Sequence, residues 1–186
     1  DYQAVIRVNS QSGKAGVAFV LERDYSLHLP RWLQVELSQL VQRESERRGG
    51  EMDGESIHAL FMEHFVTDPG PGRLIGYSLS KNGRDRIEVR VADAGGERTL
   101  RGEGNGAIAA FVDAWSRHTG ESVNVVGYAE HALTAGNDAE AIAYVQLNVD
   151  GRRVVAASTD RDTVSASLKA VLSAVNRVEM RGSQAA

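Results

Sequence analysis

The sequence predicts an α+β protein, with a small helical subdomain followed by a domain of two βββα units. Three observations carry that expectation. Apolar residues recur at helical spacing through the first third of the chain, and the pattern turns to strand-like alternation after a proline- and glycine-rich break. Beyond the break, three strands and a helix occur twice, at a spacing of roughly 55 residues.

The elements follow in order. Tyr2 to Val8 alternates like a short strand, and Val17, Val20 and Leu21 mark a short helix after a polar turn. Pro30 sits where a first helical turn tolerates proline, and Leu33, Leu37, Leu40 and Val41 form one helix face running to about Arg48. Gly49-Gly50 ends that helix. Asp53 is the expected N-cap of a third helix with Ile57, Leu60, Phe61 and His64 on one face, His64 being read as a core histidine. The break is Asp68-Pro69-Gly70-Pro71-Gly72. It divides an expected linker subdomain, 1–68, from a second domain, 69–186. Within the latter, strands are expected at Arg73–Ser80, Asp85–Asp93 and Glu97–Arg101, then a helix with Ile108, Phe111, Val112 and Trp115 on one face. This first unit spans about 73–120. The second, about 122–180, has strands near Ser122–Leu133, Ala139–Asp150 and Arg152–Ser158 and a helix carrying Val164, Leu168, Val171, Leu172 and Val175.

Composition narrows the function. Hydrophobic residues make up 42% and charged residues 25%, so a core can form. A net charge of −4 speaks against nucleic-acid binding, and the lack of cysteine removes thiol nucleophiles, disulfides and thiolate metal sites. No apolar run is long enough to span a membrane, and no signal peptide is visible. With no initiator Met, the chain is expected to be a piece of a longer protein. His28, His58, His64, His118 and His131 lack metal-ligand spacing, and no Ser/His/Asp constellation has local motif support, so no catalytic residue is assigned.

The stretch RGEGNGAIAAFVDAW at 101–115 holds the strongest site signal. Gly104, Gly106 and Ala109 fit G-x-G-x-x-G/A, the dinucleotide fingerprint. That reading needs a buried parallel strand before the loop and an acid at the end of the next strand. The preceding Glu-Arg-Thr-Leu-Arg is short and charged, and no such acid is placed there. Gly13-Lys14 likewise fails as a P-loop, because Val8 and Ala15 stand at its first Gly and Ser/Thr positions. Two other readings stay open at 101–109. The glycines can serve a tight turn, or the helix start can bind a small carboxylate through its free N–H groups. The second unit's helix starts at Thr159-Asp160-Arg161-Asp162-Thr163, whose acids suit either an N-cap or a ligand's ammonium group.

Several stretches together resemble the C-terminal part of the 2-isopropylmalate synthases. They are VNSQSGKAGVAF from Val8, LPRWLQVELS from Leu29, GEGNGAIAAFV from Gly102, YAEHAL from Tyr128 and ASLKAVLSAVNR from Ala166. The likeness covers nearly the whole chain. It implies a linker subdomain and an allosteric domain that dimerises and binds L-leucine between protomers, inhibiting acetyl-CoA-dependent acyl transfer to 2-ketoisovalerate. The catalytic barrel, with its divalent metal and acetyl-CoA, would lie outside this chain, so this piece is expected to be non-catalytic, to need no cofactor and to belong to a cytoplasmic enzyme. The resemblance places ligand contacts on Gly104, Gly106, Ile108, Ala109, Val125, Tyr128, Ala132, Ala139 and Thr163; the residues themselves offer Asp138 or Asp162 for the ammonium, without deciding between them. Thr163 stands where a larger aliphatic residue is associated with the family, and Ala107 where some members carry proline. The alternatives are an isoleucine sensor of the citramalate synthase kind, a dimerisation module without a ligand, and a nucleotide enzyme.

Overall fold

The computed structural model describes residues 7–8, 13–68, 70–134 and 139–185, with 7–8, 13–15 and 183–185 described by backbone alone. The chain divides into two compact units, 1–65 and 66–186.

The first unit is built on α1 (Gly13–Tyr25), α2 (Arg31–Arg48) and α3 (Gly54–Phe61), with a two-residue ladder joining β1 (Arg7–Val8) to β2 (Met52–Asp53). Pro30 is the extended N-cap of α2, and Leu33, Leu37, Val41 and Ser45 recur every fourth residue as its buried stripe. Gly49, at φ 75°, closes the helix by donating its N–H to the Ser45 and Glu46 carbonyls. Asp53 caps α3 by accepting from the Ser56 N–H at 2.8 Å. His64 departs from its expected place. The chain leaves α3 through a π-helical turn, Met62–Val66, whose wider winding puts Phe65 in the core and leaves His64 exposed.

The second unit holds two antiparallel meanders, each followed by a helix. The first is β3 (Arg73–Asn82), β4 (Arg84–Asp93), β5 (Gly96–Gly104) and α4 (Ala107–Thr119). The second is β6 (Val123–Ala132), β7 (Ala141–Val149), β8 (Arg152–Asp160) and α5 (Thr163–Ala185). This is the α+β arrangement with two βββα units that the alternating patterns predict. Most strands run past their expected ends, since ladder hydrogen bonding continues into the turns. β5 in particular absorbs Gly102 and Gly104, so the glycine stretch is half strand and half helix start. Asp150 and Gly151, at φ 49° and 81°, form the two-residue primed turn between β7 and β8.

One apolar core spans both repeats. Ile87, Val89 and Val91 of β4 face Phe111 and Trp115 of α4, and the same cluster continues through Val145 and Leu147 of β7 to Leu168 and Leu172 of α5. Each repeat also carries a β-bulge that its sequence does not advertise. Ladder pairing skips Ile75 in Leu74-Ile75-Gly76-Tyr77 and Val126 in Val125-Val126-Gly127-Tyr128. The extra residue reverses the alternation, so Leu74 and Tyr77, and likewise Val125 and Tyr128, lie on the same sheet face although three residues apart. Asn176, 2% exposed on α5, ties the start of the unit down, donating to the Asp68 carboxylate and, at 2.9 Å, to the Gly72 carbonyl.

Candidate functional site

A hollow of about 440 Å³ opens in the second unit where the start of α4, strand β6 and the start of α5 converge. Its volume falls within the ~300–1,000 Å³ of small-molecule sites. Six of the residues expected to bind a ligand meet there: Gly106, Ile108, Ala109, Val125, Tyr128 and Thr163. The bulge at Val126 is what brings Val125 and Tyr128 to the same wall.

Gly104, Ala132, Ala139 and Asp162 are not among its lining residues, and Asp138 lies outside the described residues. Gly104 has a packing role. A Cβ there would come within 2.8 Å of the α4 backbone, and at Gly102 within 2.4 Å of it, so both glycines let the helix lie directly on β5. Ala132 ends β6 on the face shared with Tyr128, and Ala139 precedes β7.

The glycine loop is held from two sides. The Gly106 N–H donates to Asp85 at 2.8 Å, and the Glu103 N–H to Asp113 at 2.9 Å. The bond from Glu103, with Arg117 beside it, holds the Asp113 carboxyl below the usual range. The Gly106 N–H, expected to face a ligand, is therefore already engaged within the chain. What remains is the helix start proper. Gly106 is the N-cap and makes no side-chain capping bond, and the first turn closes only where the Ala110 N–H reaches the Gly106 carbonyl at 3.0 Å. The N–H groups of Ala107, Ile108 and Ala109 precede that bond and have no partner within the helix. They carry the positive end of its dipole to the hollow.

The α5 start is furnished differently. One oxygen of Asp162 accepts from the Ser165 N–H at 3.0 Å, the Ser165 hydroxyl at 2.8 Å and the Tyr77 hydroxyl at 2.6 Å. The Tyr77 bond, first among these, holds the Asp162 carboxyl below the usual range. Asp162 is thus the N-cap of α5. Asp160 accepts from the Asp162 N–H and pairs with Lys169 at 2.7 Å.

Sequence reasoning missed five lining residues: Asn105, Ala107, Glu130, Val164 and Ser167. Glu130 is opposite Ala143 and Tyr128 opposite Val145, which puts both side chains on the core face of the sheet. The Tyr128 hydroxyl donates to Glu130 and accepts, at 2.8 Å, from the Ser167 hydroxyl, which also lies 3.0 Å from the Thr163 carbonyl as an alternative acceptor. Burial and the Glu130 carboxylate push the Tyr128 phenol up to about 12, so it remains a donor at neutral pH. His131, the next residue, is opposite Ile142, on the other face. There its ring bonds to the buried Tyr144 hydroxyl at 2.8 Å, a packing role away from the hollow.

Among the described residues no group of three or more His, Cys, Asp or Glu side chains is placed to hold a metal ion, and no helix is long and apolar enough to cross a membrane.

Residues 51–179 match the family model of the LeuA allosteric (dimerisation) domain, and residues 1–22 match that of the alpha-isopropylmalate synthase post-catalytic domain. The chain is 42% identical over 182 residues to a 2-isopropylmalate synthase of Mesorhizobium japonicum, covering 95% of this chain and 33% of the relative. It is 45% identical over 181 residues to one of Pseudomonas fluorescens (95% and 32%) and 46% identical over 179 residues to one of Thermobifida fusca (96% and 31%). The chain spans about a third of the length of the curated relatives it matches.

Proposed function

The chain belongs to the LeuA allosteric (dimerisation) domain family, and on that premise we propose that it is the effector-sensing and dimer-forming part of a 2-isopropylmalate synthase, with L-leucine as the effector. The observation that carries the reading is the uncapped start of α4, opening into a hollow whose walls include Ile108, Val125 and Val164. The free N–H groups of the first turn would take the ligand's carboxylate, each charge-assisted bond contributing ~1.5–3 kcal/mol. Burial of the isobutyl side chain against the apolar wall would add about 1.5–3 kcal/mol.

Homodimerisation supplies the rest of the device. Val125, Val126 and Tyr128 on β6, and Ile75 and Leu79 on β3, are large apolar side chains left exposed on the outer strands of the two sheets. A partner that covered β6 would also close the hollow. Effector binding would then be coupled to one relative orientation of the protomers, and inhibition follows if that orientation disfavours catalysis. Acyl transfer from acetyl-CoA to 2-ketoisovalerate, with its divalent metal, is assigned to the parent's barrel outside this chain.

Calorimetric titration of the chain with leucine, isoleucine and valine tests the reading. Saturable binding that favours leucine is expected. It should be lost in Ala109→Leu, which fills the hollow at a position where the helix tolerates leucine. Dimers that bind none of the three would favour a dimerisation module without a ligand, a reading that the Gly106–Asp85 bond supports. A preference for isoleucine would point to the citramalate synthase kind of sensor.

A further inference from the structure

We propose that Glu130 is the specificity-determining residue of the hollow: it accepts the ligand's ammonium group, and so admits amino acids and rejects 2-oxo and deaminated acids of the same carbon skeleton. This rests on the amino-acid reading above. Glu130 is the one carboxylate among the described residues lining the hollow, and no Lys, Arg or His joins it there. The lining therefore has two electrostatic poles, the α4 first-turn N–H groups left over beyond the Gly106–Asp85 bond and the one lining carboxylate, on β6. A ligand bringing only a carboxylate gains at the first pole and is repelled by the second. A zwitterion satisfies both.

The competing acids are engaged elsewhere. Asp162 accepts three hydrogen bonds as the α5 cap, and Asp160 is paired with Lys169. Glu130 forms no ion pair with a described residue. Its one described hydrogen bond comes from the Tyr128 hydroxyl, which is itself anchored to the buried Ser167. Tyr128 thus acts as a positioning residue, aiming a carboxylate that keeps free lone pairs for an N–H donor.

The test is a calorimetric titration of the chain, as wild type and as Glu130→Gln, with L-leucine, 4-methyl-2-oxopentanoate and 4-methylpentanoate. Wild type should take leucine and bind both acids more weakly. Glu130→Gln should weaken leucine about 10- to 100-fold, the worth of one charge-assisted bond, and leave the two acids unchanged or tighter. Tyr128→Phe should lower leucine affinity by a smaller factor without moving the acids. Leucine affinity within about 3-fold of wild type in Glu130→Gln, or an equal loss for all three ligands, would overturn the proposal. The ligand-class split appearing in Asp138→Asn instead would overturn it too, moving the acceptor to that residue. Wild type binding none of the three would sink the amino-acid reading itself, which is a different failure.

Discussion

The two βββα repeats share a backbone plan and part company at the residue that opens each helix. Counting 56 residues on from Gly106 gives Asp162, and the strands before them, β5 and β8, correspond residue for residue over nine positions. In the second repeat a carboxylate from the chain itself fills the helix start, taking a backbone N–H, a serine hydroxyl and the hydroxyl of the bulge tyrosine Tyr77. In the first repeat the N-cap is a glycine with no side chain to offer, and the corresponding bulge tyrosine, Tyr128, faces an open hollow. One helix therefore carries its own capping carboxylate, while at the other Asp85 takes only the Gly106 N–H and leaves the N–H groups of Ala107, Ile108 and Ala109 without a partner in the helix. A ligand carboxylate bound at α4 would play the part that Asp162 plays at α5.

The comparison breaks most severely where the first repeat brings strand and helix closest. Gly102→Val should destabilise the second unit by about 3 kcal/mol, because the new Cβ would fall 2.4 Å from the Ala110 carbonyl oxygen and the Ala114 nitrogen, and neither backbone can give way cheaply. The equivalent position in the second repeat already bears a side chain, Ser158, so Ser158→Val should cost clearly less. Urea denaturation of the two variants separates them, and equal losses would mean that the repeats pack alike. Next in size is Asp85→Ala. It strips the Gly106 N–H of its acceptor at a part-buried site and should cost roughly 1–2 kcal/mol by the same measurement. Asp85→Asn keeps an acceptor oxygen and should recover most of that loss.

Much of this architecture was legible from periodicity and punctuation. Leu33, Leu37 and Val41 at helical spacing, Asp53 before Ile57, and the alternating Arg86–Val91 each sit as their patterns require. What escaped depends on counting errors of one residue. His64 lies seven residues after Ile57, the right spacing for an α-helix, and a π-helical turn turns it outward. The bulges at Ile75 and Val126 are single insertions in apolar runs, invisible until the partner strand is known. Glu130 was legible by contrast, since simple alternation puts it on the face of Tyr128 and Ala132, two residues to either side, and it was passed over for Asp138 and Asp162. The engagement of the Gly106 N–H was hidden by distance, because its acceptor lies 21 residues upstream on a neighbouring strand. The alternative of Asp162 as a cap or an ammonium partner could not be decided from sequence, because both uses want the same residue at the same place.

The smallest effect is the one that sharpens the contrast between the two helix starts. Hydrogen bonding from Tyr77 and Ser165 lowers the Asp162 carboxyl below its ordinary value of 3.8 in the folded chain. A group whose folded value is depressed contributes stability that is fully present above the unfolded value and is lost as pH falls through the folded one. Asp162→Asn keeps an oxygen able to cap α5 and removes the titration. At neutral pH the variant should unfold within about 1 kcal/mol of wild type, the usual scale of a cap. Below about pH 4 the gap should shrink, with wild type losing stability faster on acidification than the variant. Asp113, remote from this cap, titrates alike in both proteins and cancels in the difference, whereas Asp160, which feels the Asp162 charge, is held lower still once that charge is removed. Parallel pH–stability profiles would mean that the Asp162 carboxylate is not held at the helix start in solution. The α5 start would then be as open as that of α4, and the two halves of the unit would be alike where their difference matters most.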